Sequence, residues 1–211
     1  MKNPDKTMTM SAKRLASIPP VEALGNGEVE IFRARRFLTE AACGEVIRHC
    51  NAMRPSTVAD GNGDKAFRTS STCDMDDQIP VARHIRQTIA SMLGVPLSRA
   101  EPLQAQRYFP GQEFKPHCDW FRPGSDDYEL YCSKAGQRTW TAMAYMNNVD
   151  QGGETEFPLI GHIQTPEAGT LLLWNNLTSN GQVNPQTLHH ARPVVAGSKY
   201  VVTLWFRECD W

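Results

Sequence analysis

The chain has no run of apolar residues approaching the roughly 18 that a membrane-spanning helix requires, so no membrane partner is expected. It also lacks an excess of charge of either sign. Lys and Arg total 22 against 23 Asp and Glu, a formal net charge of −1. That balance gives no basic stripe for a nucleic acid to follow. Residues 1–20 carry lysine and arginine but no apolar central segment, so a secretory signal is not expected. Six cysteines are present, Cys43, Cys50, Cys73, Cys118, Cys132 and Cys209. None stands in a C-x-x-C pair or a zinc-ribbon spacing, and the expected state is reduced thiols in a cytoplasm. Internal repeats and low-complexity segments are absent as well.

What is there fits one ordinary globular domain. Hydrophobic residues make up 40% of the 211 and charged residues 21%. Residues 1–24 read as a flexible polar tail and residues 25–211 as the folded domain. Phe32 to Phe37 reads as a first strand. Thr39 is placed to cap a helix running to about Met53, with Cys43, Val46, Ile47 and Cys50 on one face. Asp60-Gly-Asn-Gly-Asp64 reads as a turn. A second helix is expected from about Gln78 to Leu93, ended by Gly94.

After Pro102 the texture changes to short strand-like runs punctuated by Gly, Pro and Asn. The runs are Leu103–Phe109, Thr139–Asn147, Glu154–Phe157, Gly161–Gln164, Thr170–Trp174, His189–Pro193 and Tyr200–Arg207. Helices first and many short strands later predict an α+β chain with a two-sheet jelly-roll core. Arg122 to Gln137 is long and polar and reads as a mobile lid, with Tyr128 and Tyr131 able to stack on a substrate ring or to pack the loop down.

His117 and Asp119 stand two apart, so an extended strand turns both to one side. Cys118 between them would face away. Two imidazoles and one carboxylate form a facial triad for iron(II), leaving the opposite face open. The second imidazole would come from His189 or its neighbour His190, only one of which can face inward from a strand. Lys199, about ten residues on, offers a fixed positive charge to an acidic co-substrate. Taken singly, each of these residues is as readily a solvated side chain.

The stretch Gln106-Arg107-Tyr108-Phe109-Pro110-Gly111-Gln112-Glu113-Phe114-Lys115-Pro116-His117-Cys118-Asp119 resembles the prolyl 4-hydroxylase family of iron(II)- and 2-oxoglutarate-dependent dioxygenases. Further stretches resemble the same family in order: Arg68-Thr69-Ser70-Ser71, Gly136-Gln137-Arg138, Gly152-Gly153-Glu154-Thr155-Glu156-Phe157-Pro158, and His189-His190-Ala191-Arg192-Pro193-Val194 followed by Gly197-Ser198-Lys199. The resemblance covers roughly residues 28–208 and implies a double-stranded β-helix core, jelly-roll or cupin-like, with supporting N-terminal helices.

The resemblance also implies roles. His117, Asp119 and His189 would hold Fe(II), with His190 standing where the family usually has a small residue. Lys199 and Thr155 would bind the far carboxylate of 2-oxoglutarate, Tyr108 would reach the same co-substrate, and Trp205 would line its pocket. Arg138 would lie near the substrate. O₂ would be the oxidant and L-ascorbate the reductant. The expected reaction is hydroxylation of a prolyl residue in a peptide or protein, releasing succinate and CO₂. Three alternatives stay open: hydroxylation of a free amino acid or other small molecule, a non-catalytic jelly-roll binding module, and a zinc hydrolase with the same ligand types.

Overall fold

Alternating side chains divide the interior into two halves. In the strand Arg138–Tyr145, Trp140, Ala142 and Ala144 turn to one cluster, and Met143 and Tyr145 turn to the other. The same division runs through Leu171–Asn175, where Leu171 and Leu173 oppose Leu172 and Trp174, and through Lys199–Arg207, where Val202, Leu204 and Phe206 oppose Val201. A sheet apolar on both faces must be covered on both. The computed structural model, which describes residues 8–50, 53–56 and 66–211, shows what covers each.

Eight antiparallel strands form the main sheet, in the order Val21–Ala23, Ile31–Ala34, Leu171–Asn175, Arg138–Tyr145, Lys199–Arg207, Leu103–Tyr108, Ser71–Met75, Arg54–Pro55. Three helices supply the covering residues on one face: α1 (Met10–Ala16), α2 (Glu40–His49) and α3 (Pro80–Leu93). Thr39 caps α2 by accepting from Ala42 N–H, which satisfies one of the unpaired donors of a helix start. Gly94 ends α3 at φ 66, a left-handed conformation that suits glycine. Val81, Ala82, Ile85, Ile89 and Leu93 form its buried stripe.

The other face meets a four-stranded antiparallel sheet, ordered His162–Gln164, Thr155–Phe157, His189–Ala191, Phe114–His117. Two antiparallel sheets face to face, with α1, α2 and α3 covering the outer face of the larger one, make an α+β jelly roll. The gap between the sheets is where the histidines point.

Four sequence expectations need correction. The polar tail expected over residues 1–24 is structured from Met10 onward. Thr9 caps α1, Ala12 and Leu15 are fully buried against the helical layer, and Val21–Ala23 pairs with Ile31–Ala34. One buried leucine is worth about 1.5–3 kcal/mol, enough to dock a two-turn helix whose sequence shows only two apolar contacts. The strand expected to reach Phe37 stops at Ala34, because Arg36 adopts φ 56 in a turn. Helix α2 stops at His49, short of Met53. The stretch Arg122–Gln137, expected as a mobile lid, contains α4 (Asp126–Cys132), capped by Ser125 and carrying three acids in its first turn, where they complement the helix dipole. Its end is tied down by Arg207, whose Nη1 donates to Tyr131 O at 3.2 Å and Gly136 O at 2.8 Å. The turn expected at Asp60 to Asp64 lies outside the described residues.

Candidate functional site

Register places the site. His189 stands directly opposite His117 on neighbouring strands of the small sheet, a pairing that brings side chains on one face together. Asp119 follows just past the end of the strand Phe114–His117, in a bend rather than on the strand itself. His117 Nε2 lies 3.9 Å from Asp119 Oδ1, and His189 Nε2 lies 3.8 Å from Asp119 Oδ2. One ligand atom from each of the three residues falls within 4.8 Å of the others, and this is the one such cluster of potential metal ligands among the described residues.

The imidazoles are oriented from behind. His117 Nδ1 is 2.7 Å from Lys115 O, and His189 Nδ1 is 2.9 Å from Thr187 O. A carbonyl only accepts, so each Nδ1 carries the proton and each Nε2 lone pair faces the cluster. Burial holds the His117 pKa well below its ordinary value, and the neighbouring His189 adds to that effect. Oriented imidazoles beside a carboxylate are what a divalent ion needs.

His190 faces the other way, as alternation requires. Its Nε2 sits 2.9 Å from Glu113 Oε2 on the outside of the small sheet, and Glu156 Oε2 lies 4.0 Å from its Nδ1. His190→Ala is therefore expected to keep metal affinity and turnover within about threefold of the wild type, since its side chain bonds Glu113 and turns away from the cluster. Loss of bound iron in that variant would move the ligand assignment from His189 to His190.

Lys199 and Tyr108 are partners across the ladder of the main sheet, so their side chains share a face. Lys199 is 1% exposed, and its Nζ has no hydrogen-bond partner among the described residues. It lies 5.2 Å from the Tyr108 ring centre and 5.6 Å from that of Tyr145. Burial pulls its pKa down to about 7, against a smaller opposing pull from Glu154. A buried ammonium without a hydrogen-bonded counter-charge is costly, and an acidic ligand relieves that cost. Thr155, also 1% exposed, accepts the Tyr145 hydroxyl at 2.7 Å, which leaves its own proton free to be donated. Lys199, Thr155 and Tyr108 line one narrow pocket that ends on the His117–Asp119–His189 cluster.

On its other side the cluster opens to a wide cleft of about 570 Å³. Trp205 and Arg68 line both spaces. Trp205 Nε1 is buried without a partner among the described residues, and the Arg138 guanidinium stacks on its ring at 4.0 Å. Arg138 lines the cleft, but two of its nitrogens are engaged by Glu101, at 2.7 and 2.9 Å. Glu101 also accepts from Arg207 Nε at 2.7 Å, so one buried carboxylate fixes two arginines. The sequence reading passed over Glu101 and Thr141. The signal for Thr141 is a buried polar residue on the face that also carries Met143 and Tyr145.

Comparison with known proteins gives a consistent result. The 2OG-Fe(II) oxygenase superfamily pattern matches residues 103–207. A protein of Acanthamoeba polyphaga mimivirus, named as a candidate prolyl 4-hydroxylase, is 31% identical over 179 residues, covering 84% of this chain and 74% of that protein. Human prolyl 4-hydroxylase subunit alpha-1 is 36% identical over 129 residues, but the match covers only 24% of that subunit. Among solved structures, the viral collagen prolyl hydroxylase of Paramecium bursaria Chlorella virus-1, in its 2OG complex, superposes with a TM-score of 0.67 at 25% identity, covering 84% of this chain and 95% of that one. A Pseudomonas putida prolyl-4-hydroxylase shares the fold with a TM-score of 0.61 at 18% identity.

Proposed function

Because this chain belongs to the prolyl 4-hydroxylase family of iron(II)- and 2-oxoglutarate-dependent dioxygenases, we propose that it hydroxylates a prolyl residue within a peptide or protein. The observation that carries the reading is the junction of two spaces at one three-ligand cluster. A narrow pocket holds the Lys199 ammonium, which has no hydrogen-bond partner among the described residues, and a wide cleft offers access from outside.

Each residue has a defined task. His117, Asp119 and His189 would hold Fe(II) through Nε2, a carboxylate oxygen and Nε2. Lys199 and Thr155 would bind the far carboxylate of 2-oxoglutarate, the first by charge and the second by a donated hydrogen bond. Tyr108 and Trp205 would close the pocket walls and exclude water. Arg138, clamped by Glu101 and stacked on Trp205, would present a fixed cationic edge to the substrate cleft. The metal with 2-oxoglutarate and O₂ supplies the oxidising power that places a hydroxyl on an unactivated C–H bond. L-ascorbate is the proposed reductant for spent iron.

The buried Lys199 also weighs against a zinc hydrolase or a non-catalytic binding module, neither of which needs a buried anchor for a dicarboxylate. The cleft favours a peptide over a free amino acid. Its volume is of the size that holds ligands larger than one residue, and Trp120, Phe121, Tyr131, Trp205 and Trp211 line it. Aromatic faces suit proline rings. The Phe121 and Tyr131 rings stack with centres 5.3 Å apart, so Tyr131 packs the segment down as well as facing the cleft. All six cysteines are unpaired, which fits the proposed cytoplasmic, reducing setting. No helix among the described residues is long and apolar enough to cross a membrane.

The test is a competition between a proline-rich peptide library and free L-proline, scored by hydroxyproline. Peptides are expected to be hydroxylated at micromolar to millimolar concentrations, the ordinary range of enzyme KM values, with free proline neither consumed nor inhibitory. Turnover of free proline with peptides untouched would replace the peptide reading with a small-molecule one.

A further inference from the structure

Asp119 is held by more than the two imidazoles facing it. Its Oδ2 accepts the Thr141 hydroxyl at 2.7 Å, and Thr141 Oγ1 accepts from Asn176 Nδ2 at 2.9 Å. Thr141 and Asn176 are both 0% exposed, so water does not compete for these bonds. The chemistry fixes their direction. An ionised carboxylate has no proton to give, so the hydroxyl proton points at Oδ2. The hydroxyl lone pair left over needs a donor, and the Asn176 amide nitrogen supplies it. Each bond removes a rotation that the other would otherwise leave free.

The backbone of Asn176 reaches the second ligand segment. Its carbonyl accepts from Asn184 N–H at 2.9 Å. The Asn184 carbonyl accepts from Trp120 Nε1 at 3.2 Å, beside Asp119, and from the Thr187 hydroxyl at 2.7 Å. The Thr187 carbonyl accepts from His189 Nδ1. Asn176 thus stands where the supports of the carboxylate and of the distal histidine meet.

We propose that Thr141 and Asn176 are positioning residues that set the orientation of the Asp119 carboxylate toward the metal. The proposal rests on the three-ligand reading above and deepens it. The competing explanation is that both residues merely fill the core. Valine separates the two, because it keeps the branched shape of threonine and loses only the hydroxyl.

The experiment titrates metal-free protein with Mn(II) and follows the free ion by electron paramagnetic resonance, a readout independent of turnover. Thr141→Val is expected to raise the Mn(II) Kd by about 10- to 100-fold, the usual effect of losing a partner behind a metal ligand. Thr141→Ser, which restores the hydroxyl, should stay within about threefold of the wild type. Asn176→Ala should weaken binding by roughly three- to tenfold and add nothing in a Thr141→Val background, since it acts through that hydroxyl. Wild-type affinity in Thr141→Val, alongside lost binding in Asp119→Ala, would overturn the positioning proposal and leave the ligand reading standing. Mn(II) binding that Asp119→Ala does not disturb would sink both. Should Thr141→Val fail to fold by circular dichroism, Asn176→Ala decides: unchanged Mn(II) affinity there overturns the proposal, and weakened affinity with a normal Thr141→Ser supports it.

Discussion

Lys199→Ala is expected to raise the 2-oxoglutarate concentration needed for half-maximal turnover by at least about 30-fold, while the Fe(II) requirement moves by less than about threefold. Truncating one partner of a buried charge pair costs about 2–5 kcal/mol, and each 1.4 kcal/mol is tenfold. Lys199 Nζ qualifies because it is buried, unpaired among the described residues, and in the pocket rather than in the metal cluster. Steady-state kinetics with each ligand varied in turn would show the split. Equal effects on both ligands would mean that the substitution had disturbed the site as a whole.

The same lysine makes a pH prediction. Its pKa falls from an unfolded value of 10.5 to about 7 on folding. Between those values the unfolded chain binds the proton and the folded chain does not, so stability rises with pH across that window. Below about pH 7 the ammonium is charged in both states and the penalty of burying it is complete. The penalty, on the order of a few kcal/mol, fades toward pH 10.5. Lys199→Met removes the charge and keeps the length, so the metal-free variant should melt above the wild type at pH 6, with the gap closing as pH rises. Binding a dicarboxylate needs the protonated form, so 2-oxoglutarate affinity should fall above about pH 7, by at most tenfold per pH unit. A wild type and variant that melt in parallel from pH 6 to 9 would contradict the buried-ammonium assignment.

Asp119→Ala carries the second large effect. It removes the one carboxylate between the two imidazoles and should weaken Fe(II) binding by more than about 100-fold, beyond the usual effect of losing a partner behind a ligand, and abolish turnover. The fold should survive. The Thr141 hydroxyl loses its acceptor, a loss of about 1–3 kcal/mol, but the buried charge goes with it. The metal-free melting temperature should stay within about 4 °C of the wild type, the shift expected for roughly 1 kcal/mol in a chain of this size. Equilibrium dialysis against Fe(II) without oxygen, with calorimetry of the metal-free proteins, measures both. Retained iron would remove Asp119 from the ligand set.

The parts of the fold that the sequence made legible are those with repeated local signals. Helix α3 shows six buried residues at helical spacing and a closing glycine, and Arg138–Tyr145 alternates along its length. Helix α1 stayed hidden because seven residues carrying two buried contacts look like a polar tail, and α4 because its acidic first turn looks like a solvated loop. Phe114–His117 has too little alternation to read as a strand, since its partner strand rather than its own pattern makes it one. At the site, His-x-Asp and the lysine after the distal histidine were visible because their spacing along the chain is short. Adjacent histidines left the choice between His189 and His190 to the family resemblance, and strand facing agrees with it, since it places His190 on Glu113. Asn176 and Glu101 were beyond reach, since their meaning comes from contacts with residues 35 and 37 positions away, and Thr141 offered only its polarity on an inward face.

The central claim is that three side chains and one buried lysine make a 2-oxoglutarate-coupled hydroxylation centre. Oxygen admitted to anaerobic, Fe(II)-loaded protein with 2-oxoglutarate and a proline-rich peptide tests it most directly, with succinate and hydroxyproline both quantified. The account predicts succinate and hydroxyproline in equal amounts in the wild type and neither in Asp119→Ala. Succinate no higher in the wild type than in Asp119→Ala would contradict it.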